Sequence, residues 1–534
     1  MFTPLARSGH PARHPLDCTP RKEVQEGGHT IDGVGTVKPG FLRFIGAWGS
    51  TPAVRTIALV ALGSLTIAGC NRRADTGPVI VSAIGEPPML VDPARGVADT
   101  PARLLADATA EGLVRYDAGG QIEAGLAERW IVIDNGASYI FRLREAQWAD
   151  GKPVTAAQVV EILERQLASR SNNPLRPFLT AVDEIVVMTP QVIEVRLKRP
   201  RPDLLKLFAQ PELALFRNRV PGGGGPMRIA FAGRSPLLRP AFDPNRADPE
   251  DGRETPPEQD VRLIGERASR AIMRFAGRES DLVAGGGFVD WPLLAYATIA
   301  PTNVRIDPAA GVFGLAIASR TGFLGDPANR AALNGGIDRA AIVRAVRAEW
   351  ESTDRLLPEA LDSAEPPIVP PWTLVPYDDR LAAARTRVAR WSGGLVTLRV
   401  AMPTGPGATL VYGQIARSLI RMGITPIRVE ADAAADLRLI DRVAPYDSAR
   451  WYLATACAPC GDDAQAVVDA ARDAPTLAER ARLIAAADRA VADDNAFIPI
   501  ARPLRWSLVA GRLRQWRPNT RAWHPLNRLR DDTK

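Results

Sequence analysis

Histidine is almost absent from this chain of 534 residues: there are four, His10, His14, His29 and His524. Residues 30–523 contain none. Histidine is the usual general base and the commonest metal ligand. Its scarcity argues against a Ser-His-Asp site, a His-held zinc or a His-ligated haem, and no catalytic group, metal or cofactor is expected. Lysine is nearly as rare, six residues against 61 arginines. The 67 basic residues exceed the 60 acidic ones without any Lys/Arg run of five, so no nucleic-acid partner is expected. Long apolar runs are missing too. With 46% apolar and 24% charged residues the composition is that of a globular protein, which excludes a collagen, a mostly disordered chain and a multi-spanning membrane protein. At roughly 150 residues per domain, the length suggests about three domains or lobes.

What is present begins with an uncharged, mostly apolar stretch near the N-terminus. Residues 56–69 read TIALVALGSLTIAG, preceded by Arg55 and followed by Cys70. These fourteen residues are fewer than the roughly 20 that a spanning helix needs. They suit the apolar core of an export signal behind a positive flank. The end, Ile67-Ala68-Gly69-Cys70, resembles a bacterial lipobox, in which the cysteine thiol takes the lipid. Residues 1–50 are rich in Pro and Gly and precede where a signal should begin, so the expected start lies downstream, with Val54 a candidate. Residues 1–69 are therefore set apart as leader and signal, and 70–78 as a tether. The remaining chain has 465 residues, 60 basic and 56 acidic, and keeps only His524. Cys457 and Cys460 form a Cys-Ala-Pro-Cys run, expected to be disulfide-paired in an oxidising periplasm. The closed loop is short, so the bridge would mainly fix a local turn.

Strand and helix signals alternate along this mature part. Val79–Ala83 reads as a strand and Ala102–Leu113 has helical spacing. Tyr139–Arg144 alternates as a strand. Asp150-Gly151 is a turn, and Thr155 caps a helix to about Ser169. Glu184–Met188 and Val192–Leu197 flank Thr189-Pro190-Gln191 as a hairpin. Arg217–Gly225 is a hinge or loop, and Ala241–Gln259 an exposed loop. Pro327–Trp350 holds two helical stretches broken at Gly335-Gly336. A strand at Val396–Met402 leads into a helix to Arg421, then a strand from Pro426. Thr476–Glu479 opens a helix to about Ala492, and Phe497–Ile500 and Leu508 are final strands. The alternation predicts an α/β fold with mixed sheets. The Gly222–Gly225 and Gly285–Gly287 runs lack the context of a phosphate loop.

From Gly112 the sequence resembles a known family. The runs Gly112–Trp130, Tyr139–Arg144 and Trp148–Ala156 are similar to the extracellular solute-binding proteins of family 5, which serve peptide and nickel ABC importers. Further matching pieces follow in order: Gly225–Ile229, Asp281–Gly285, Asn329–Leu333 with Ile337–Ile342, and Arg480–Pro499. The resemblance spans about residues 79–515. It implies a two-lobed periplasmic-binding-protein type II fold with a small extra domain inserted in the first lobe. The implied division is 79–106 lobe I, 107–215 inserted domain, 216–305 lobe I again, 306–498 lobe II, and 499–534 a return to lobe I with the tail. It further implies a monomer that captures a small solute, a peptide among the candidates. That solute would pass to an ABC permease and its ATPase, from a lipid anchor at Cys70 in the periplasm. The matched residues have structural readings: Asp150-Gly151 a positive-φ turn, Thr155 a cap, Asp338-Arg339 a tie between helices.

The sequence departs from the family at one informative place. Peptide-binding members carry a Trp followed three residues later by an Asp that pairs with the peptide amine. The nearest match here is Trp451-Tyr452-Leu453-Ala454, which lacks the carboxylate; Asp462 and Asp463 lie just beyond. Trp451, Tyr452, Asp462 and Asp463 are thus the candidate ligand-binding residues. With His524 alone, a direct His–metal site is not expected. Between Gly225 and Asp281 the chain is also shorter than is usual for the family. Two other readings stand beside the binding protein: a non-transport descendant of the same fold, such as an envelope sensor or chaperone, and a periplasmic thiol oxidoreductase using Cys457 and Cys460. The acidic Asp462-Asp463 beside the cysteines opposes the low thiol pKa that the last reading needs.

Overall fold

The computed structural model of the chain describes residues 76–530, apart from 111, 218–223, 242–255, 360 and 459. The leader, the lipobox with Cys70, and most of the expected hinge at 217–225 and loop at 241–259 lie outside the described residues. Two large mixed sheets organise the rest. The first runs, in spatial order, Val304–Asp307, Arg505–Val509, Leu282–Gly287, Val79–Ile84, Val261–Glu266, Leu237–Pro240 and Met227–Phe231. Its centre is parallel: Val79–Ile84 lies between Val261–Glu266 and Leu282–Gly287. The second sheet runs Thr425–Glu430, Thr397–Met402, Leu437–Val443, Gly311–Ile317 and Phe497–Ala501. The chain passes between the two sheets within residues 307–311 and again within 501–505. Among the described residues, no helix is long and apolar enough to cross a membrane.

A separate four-stranded antiparallel sheet comes from Ala127–Ile133, Ser138–Leu143, Val192–Leu197 and Val182–Thr189. Local chemistry dictates its shape. Gly151 holds a positive φ of 78° after Asp150, a conformation that costs glycine nothing. Thr155 then starts the helix Ala156–Leu167 with a full capping box, its hydroxyl accepting from the Gln158 N–H and the Gln158 side chain accepting from the Thr155 N–H. The helix presents Val159, Ile162 and Leu163 to the sheet, against Phe141 and Val195, all buried. That core is continuous with one under the second large sheet, reaching Tyr446, Trp451 and Phe497.

The charged residues of the motifs singled out above act as ties. The buried Asp281 carboxylate accepts from the Ile80 N–H at 2.8 Å and from Arg512 at 2.7 Å, which pins the last part of the chain to the first strand. Arg339 donates to the carbonyls of Pro499 at 2.7 Å and Asn334 at 2.9 Å, joining its helix to Phe497–Ala501. Burial pushes its guanidinium down to about 9. Arg330, from the preceding helix, donates to both the backbone carbonyl and the carboxylate of Asp494, at 2.8 and 2.7 Å. A buried guanidinium is tolerable only with such partners.

Sequence periodicity and structure differ in two respects. The helix expected at 102–113 occupies Thr100–Thr109, started by Asp99, whose side chain accepts from the Ala102 N–H. The later apolar residues, Ala110 and Leu113, lie between that helix and the strand Val114–Tyr116. Helices at Ala449–Ala456 and Asp462–Asp473 flank the cysteine pair, where the sequence offered no start signal as clear as Thr476.

Candidate functional site

The cavity of interest, about 440 Å³, has walls from both large sheets and from the part of the chain that includes Tyr116 and Gln210. Its size falls in the range of small-molecule sites. One wall lies at the carboxyl end of an inner strand of the first sheet: Gly285 and Gly286 of Leu282–Gly287, with Trp506 beside them. The opposite wall is residues 441–445, where the strand Leu437–Val443 leaves the second sheet, backed by Trp451. The third side carries Tyr116, Gln210 and Glu212, on the polypeptide that bears the four-stranded sheet. Sites at the carboxyl ends of strands are the general rule in α/β sheets.

Glycine at 286 is a packing requirement. A Cβ there would meet Trp506 indole carbons at 2.3 Å, so the indole lies directly over the strand and donates from Nε1 to the Gly287 carbonyl at 2.9 Å.

The charged groups of the walls are paired in a pattern. Arg505 meets Asp441 at 2.9 Å, and Arg103 meets Glu212 at 2.7 Å while its guanidinium lies 4.7 Å from the Trp523 ring centre. Asp307 is enclosed: one oxygen accepts from the Asn519 N–H at 2.9 Å and the other lies 3.1 Å from His524 Nε2. Arg521 donates to the Ala444 carbonyl at 2.9 Å and to Asp447. Burial pushes the Asp447 carboxyl up, but the hydrogen bond from Lys206 and the charge of Arg521 outweigh that and hold it below the usual carboxylate value.

A hydrogen-bonded seam closes the third side onto the second wall. The Tyr116 hydroxyl lies 2.9 Å from the Lys206 carbonyl and 3.0 Å from the Pro445 carbonyl, and accepts from the Gln210 amide at 2.9 Å. Burial pushes the Tyr116 phenol well up, so it stays protonated.

The residues singled out from sequence fall in three places. Trp451 lines the cavity and packs edge-on against Tyr452, ring centres 5.1 Å apart. Tyr452 is buried behind it and is not a lining residue; burial pushes its phenol up to about 12. Asp462 and Asp463 are exposed in the first turn of Asp462–Asp473 and do not line the cavity. Cys457 is buried at the C-terminal end of Ala449–Ala456, with its Cα 4.6 Å from that of Cys460, a separation a disulfide spans. The carbonyl end of a helix disfavours a thiolate.

Sequence reasoning passed over Asp307, Asp441, Arg442 and His524. His524 carried a signal, as the one histidine of the mature chain. The others sit at strand ends with nothing local to mark them. Among the described residues, no group of three or more His, Cys, Asp or Glu is placed to hold a metal ion.

Comparison with known proteins bears on this arrangement. Residues 121–431 match the family model described as bacterial extracellular solute-binding proteins, family 5 middle. The chain belongs to that family. Among solved structures, OppA of Haemophilus influenzae in complex with RPPGFSPFR superposes with a TM-score of 0.71 at 16% identity, covering 86% of this chain and 99% of that one. The Escherichia coli murein tripeptide binding protein MppA gives 0.71 at 17% identity, covering 85% and 98%. These likenesses establish the fold, the two-lobed periplasmic binding protein type. Sequence matches to curated relatives are partial. The probable deoxycholate-binding periplasmic protein YgiS of Escherichia coli is 38% identical over 93 residues, 17% of each chain. The glutathione-binding protein GsiB of Shigella dysenteriae is 30% identical over 169 residues, 31% of this chain and 32% of that one.

Proposed function

We propose that this family 5 protein is the solute-capturing component of an ABC importer. It takes small, peptide-like or related molecules between two lobes and delivers them to a membrane permease with its ATPase. The observation that carries this reading is the cavity of about 440 Å³, whose walls come from both large sheets. A site built that way is completed only when the lobes meet, so binding and closure are one event. The relatives named for deoxycholate, glutathione and murein tripeptide are all binding proteins for small molecules, which supports capture over catalysis.

The four-stranded sheet with its helix is read as the inserted domain, over 107–215. Cys70 is read as the lipidated residue of a monomer held at the envelope membrane, and Cys457–Cys460 as a disulfide. The test is uptake. Cells lacking this chain are expected to lose accumulation of one class of small solute, restored by the intact chain. Normal uptake of every solute tested, with binding only to a sensor kinase or to unfolded proteins, would overturn the transport reading. Radiolabelled palmitate should enter the protein, and Cys70→Ser should abolish labelling and release it from the membrane fraction.

A further inference from the structure

We propose that the cavity selects solutes bearing a carboxylate, that Arg442 is the residue that recognises it, and that a free ammonium is not required. This rests on the cavity being the solute site. The inference follows from charge accounting around its walls.

Three carboxylates line the cavity, and each is already answered. Asp441 is held by Arg505, Glu212 by Arg103, and Asp307 by the Asn519 N–H and His524. Of the four lining arginines, Arg103, Arg505 and Arg521 are answered by Glu212, Asp441 and Asp447. Arg442 is not: it is exposed and lines the cavity, its backbone pairs with Val312 in the second sheet, and its side chain makes no hydrogen bond or ion pair with any described residue. The site therefore offers one unpartnered cation; Asp307 has no fixed cation beside it, but its side chain is 2% exposed and both oxygens are taken, by Asn519 and His524. A ligand ammonium would have to draw Asp441 or Glu212 away from its arginine, and a half-buried arginine left without its partner is costly. A carboxylate meets no such obstacle, and a guanidinium presents it with two parallel donors.

The cavity thus matches an acid better than a basic or free-amine ligand.

The test uses three probes on the protein purified from its own envelope and freed of bound solute: acetyl-Ala-Ala-Ala, with an acid and no amine; Ala-Ala-Ala-amide, with an amine and no acid; and Ala-Ala-Ala, with both. Binding is read by tryptophan fluorescence and calorimetry. The acetylated acid is expected to bind at least as tightly as the free tripeptide, and the amide to bind about tenfold or more weakly. Arg442→Gln should remove that difference while leaving the unfolding temperature unchanged, and Arg442→Lys should restore part of it. Tighter binding of the amide, or an acid preference that survives Arg442→Gln, overturns the selectivity while leaving the cavity as the site. Binding that is unaffected when Ala444→Phe narrows the cavity in a folded variant overturns the site itself. Failure of all three probes to bind overturns both.

Discussion

Replacing Asp494 by Asn should destabilise the protein by about 3 kcal/mol, the lower end of what breaking a buried ion pair costs. Asp494 ends the helix Leu477–Asp494 and gathers three donors. Arg320 reaches it with both terminal nitrogens, one at 3.0 Å, Arg330 reaches it at 2.7 Å, and the Gly461 N–H lies 3.3 Å away. The Arg330 side chain is 3% exposed and that of Asp494 14%, so water cannot replace the lost charge. Asparagine retains one acceptor oxygen, which is why the cost sits at the lower end of the range. The pH dependence sharpens the test. Burial pushes the Asp494 carboxyl up, but the Arg320 hydrogen bonds, the Gly461 N–H and the arginine charges outweigh it and hold the group below its ordinary 3.8. An acid with a lowered folded-state pKa contributes stability that is complete above the unfolded value and is lost as pH falls through the folded one. Urea unfolding of wild type and Asp494→Asn should therefore differ by about 3 kcal/mol at pH 7, and the gap should close on acidification below 3.8. A gap under about 0.5 kcal/mol at pH 7, the size of an ordinary surface change, or one that does not change with pH, would refute the reasoning.

Other consequences are as specific. In Gly286→Ala the new methyl collides with the Trp506 indole, so stability should drop by about 1–3 kcal/mol and solute affinity should fall with it; an unchanged melting temperature contradicts the packing described. Tyr116→Phe removes a hydroxyl shared by Lys206, Gln210 and Pro445, and should cost about 1 kcal/mol, read by thermal unfolding, with no effect expected if the seam were loose. Asp488 is pushed up to about 6 by burial, against the Ile368 N–H that donates to it. Its raised folded pKa means stability falls as pH rises from 3.8 through about 6, so Asp488→Asn should be more stable than wild type at pH 8 and equal to it at pH 3. A destabilised variant at pH 8 would contradict that sign. Reducing the Cys457–Cys460 pair should cost about 2 kcal/mol at most, from the short loop; insulin-disulfide reduction by the protein would assign the pair to redox chemistry instead.

Much of the fold was legible because its punctuation is local. Thr155, Gly151 and Thr476 announce their turns and caps in sequence, and Tyr139–Arg144 alternates because one face of its sheet is buried. The ties made by Asp281, Arg330 and Arg339 were visible as motif residues, though their partners, Arg512, Asp494 and Pro499, are set by the tertiary fold. The cavity was less legible. Trp451 stands on its wall because it lies on a short helix behind the second sheet, while Asp462 and Asp463 turn to solvent one helix later. Asp307 and Asp441 come to one cavity from strand ends of different sheets, and no spacing rule reaches across 134 positions. His524 shows the limit most clearly: its solitude excluded histidine chemistry, yet the ring packs 4.6 Å from Trp516 and faces Asp307 in the cavity wall.

The central claim is that one cavity between the lobes holds one small solute. Native mass spectrometry of the protein taken directly from the cells that make it tests it most directly. The account predicts a single added mass per chain, released on unfolding, acidic in character, and absent when Ala444→Phe narrows the cavity. A chain that is always empty, or an added mass that persists in that variant, would contradict it.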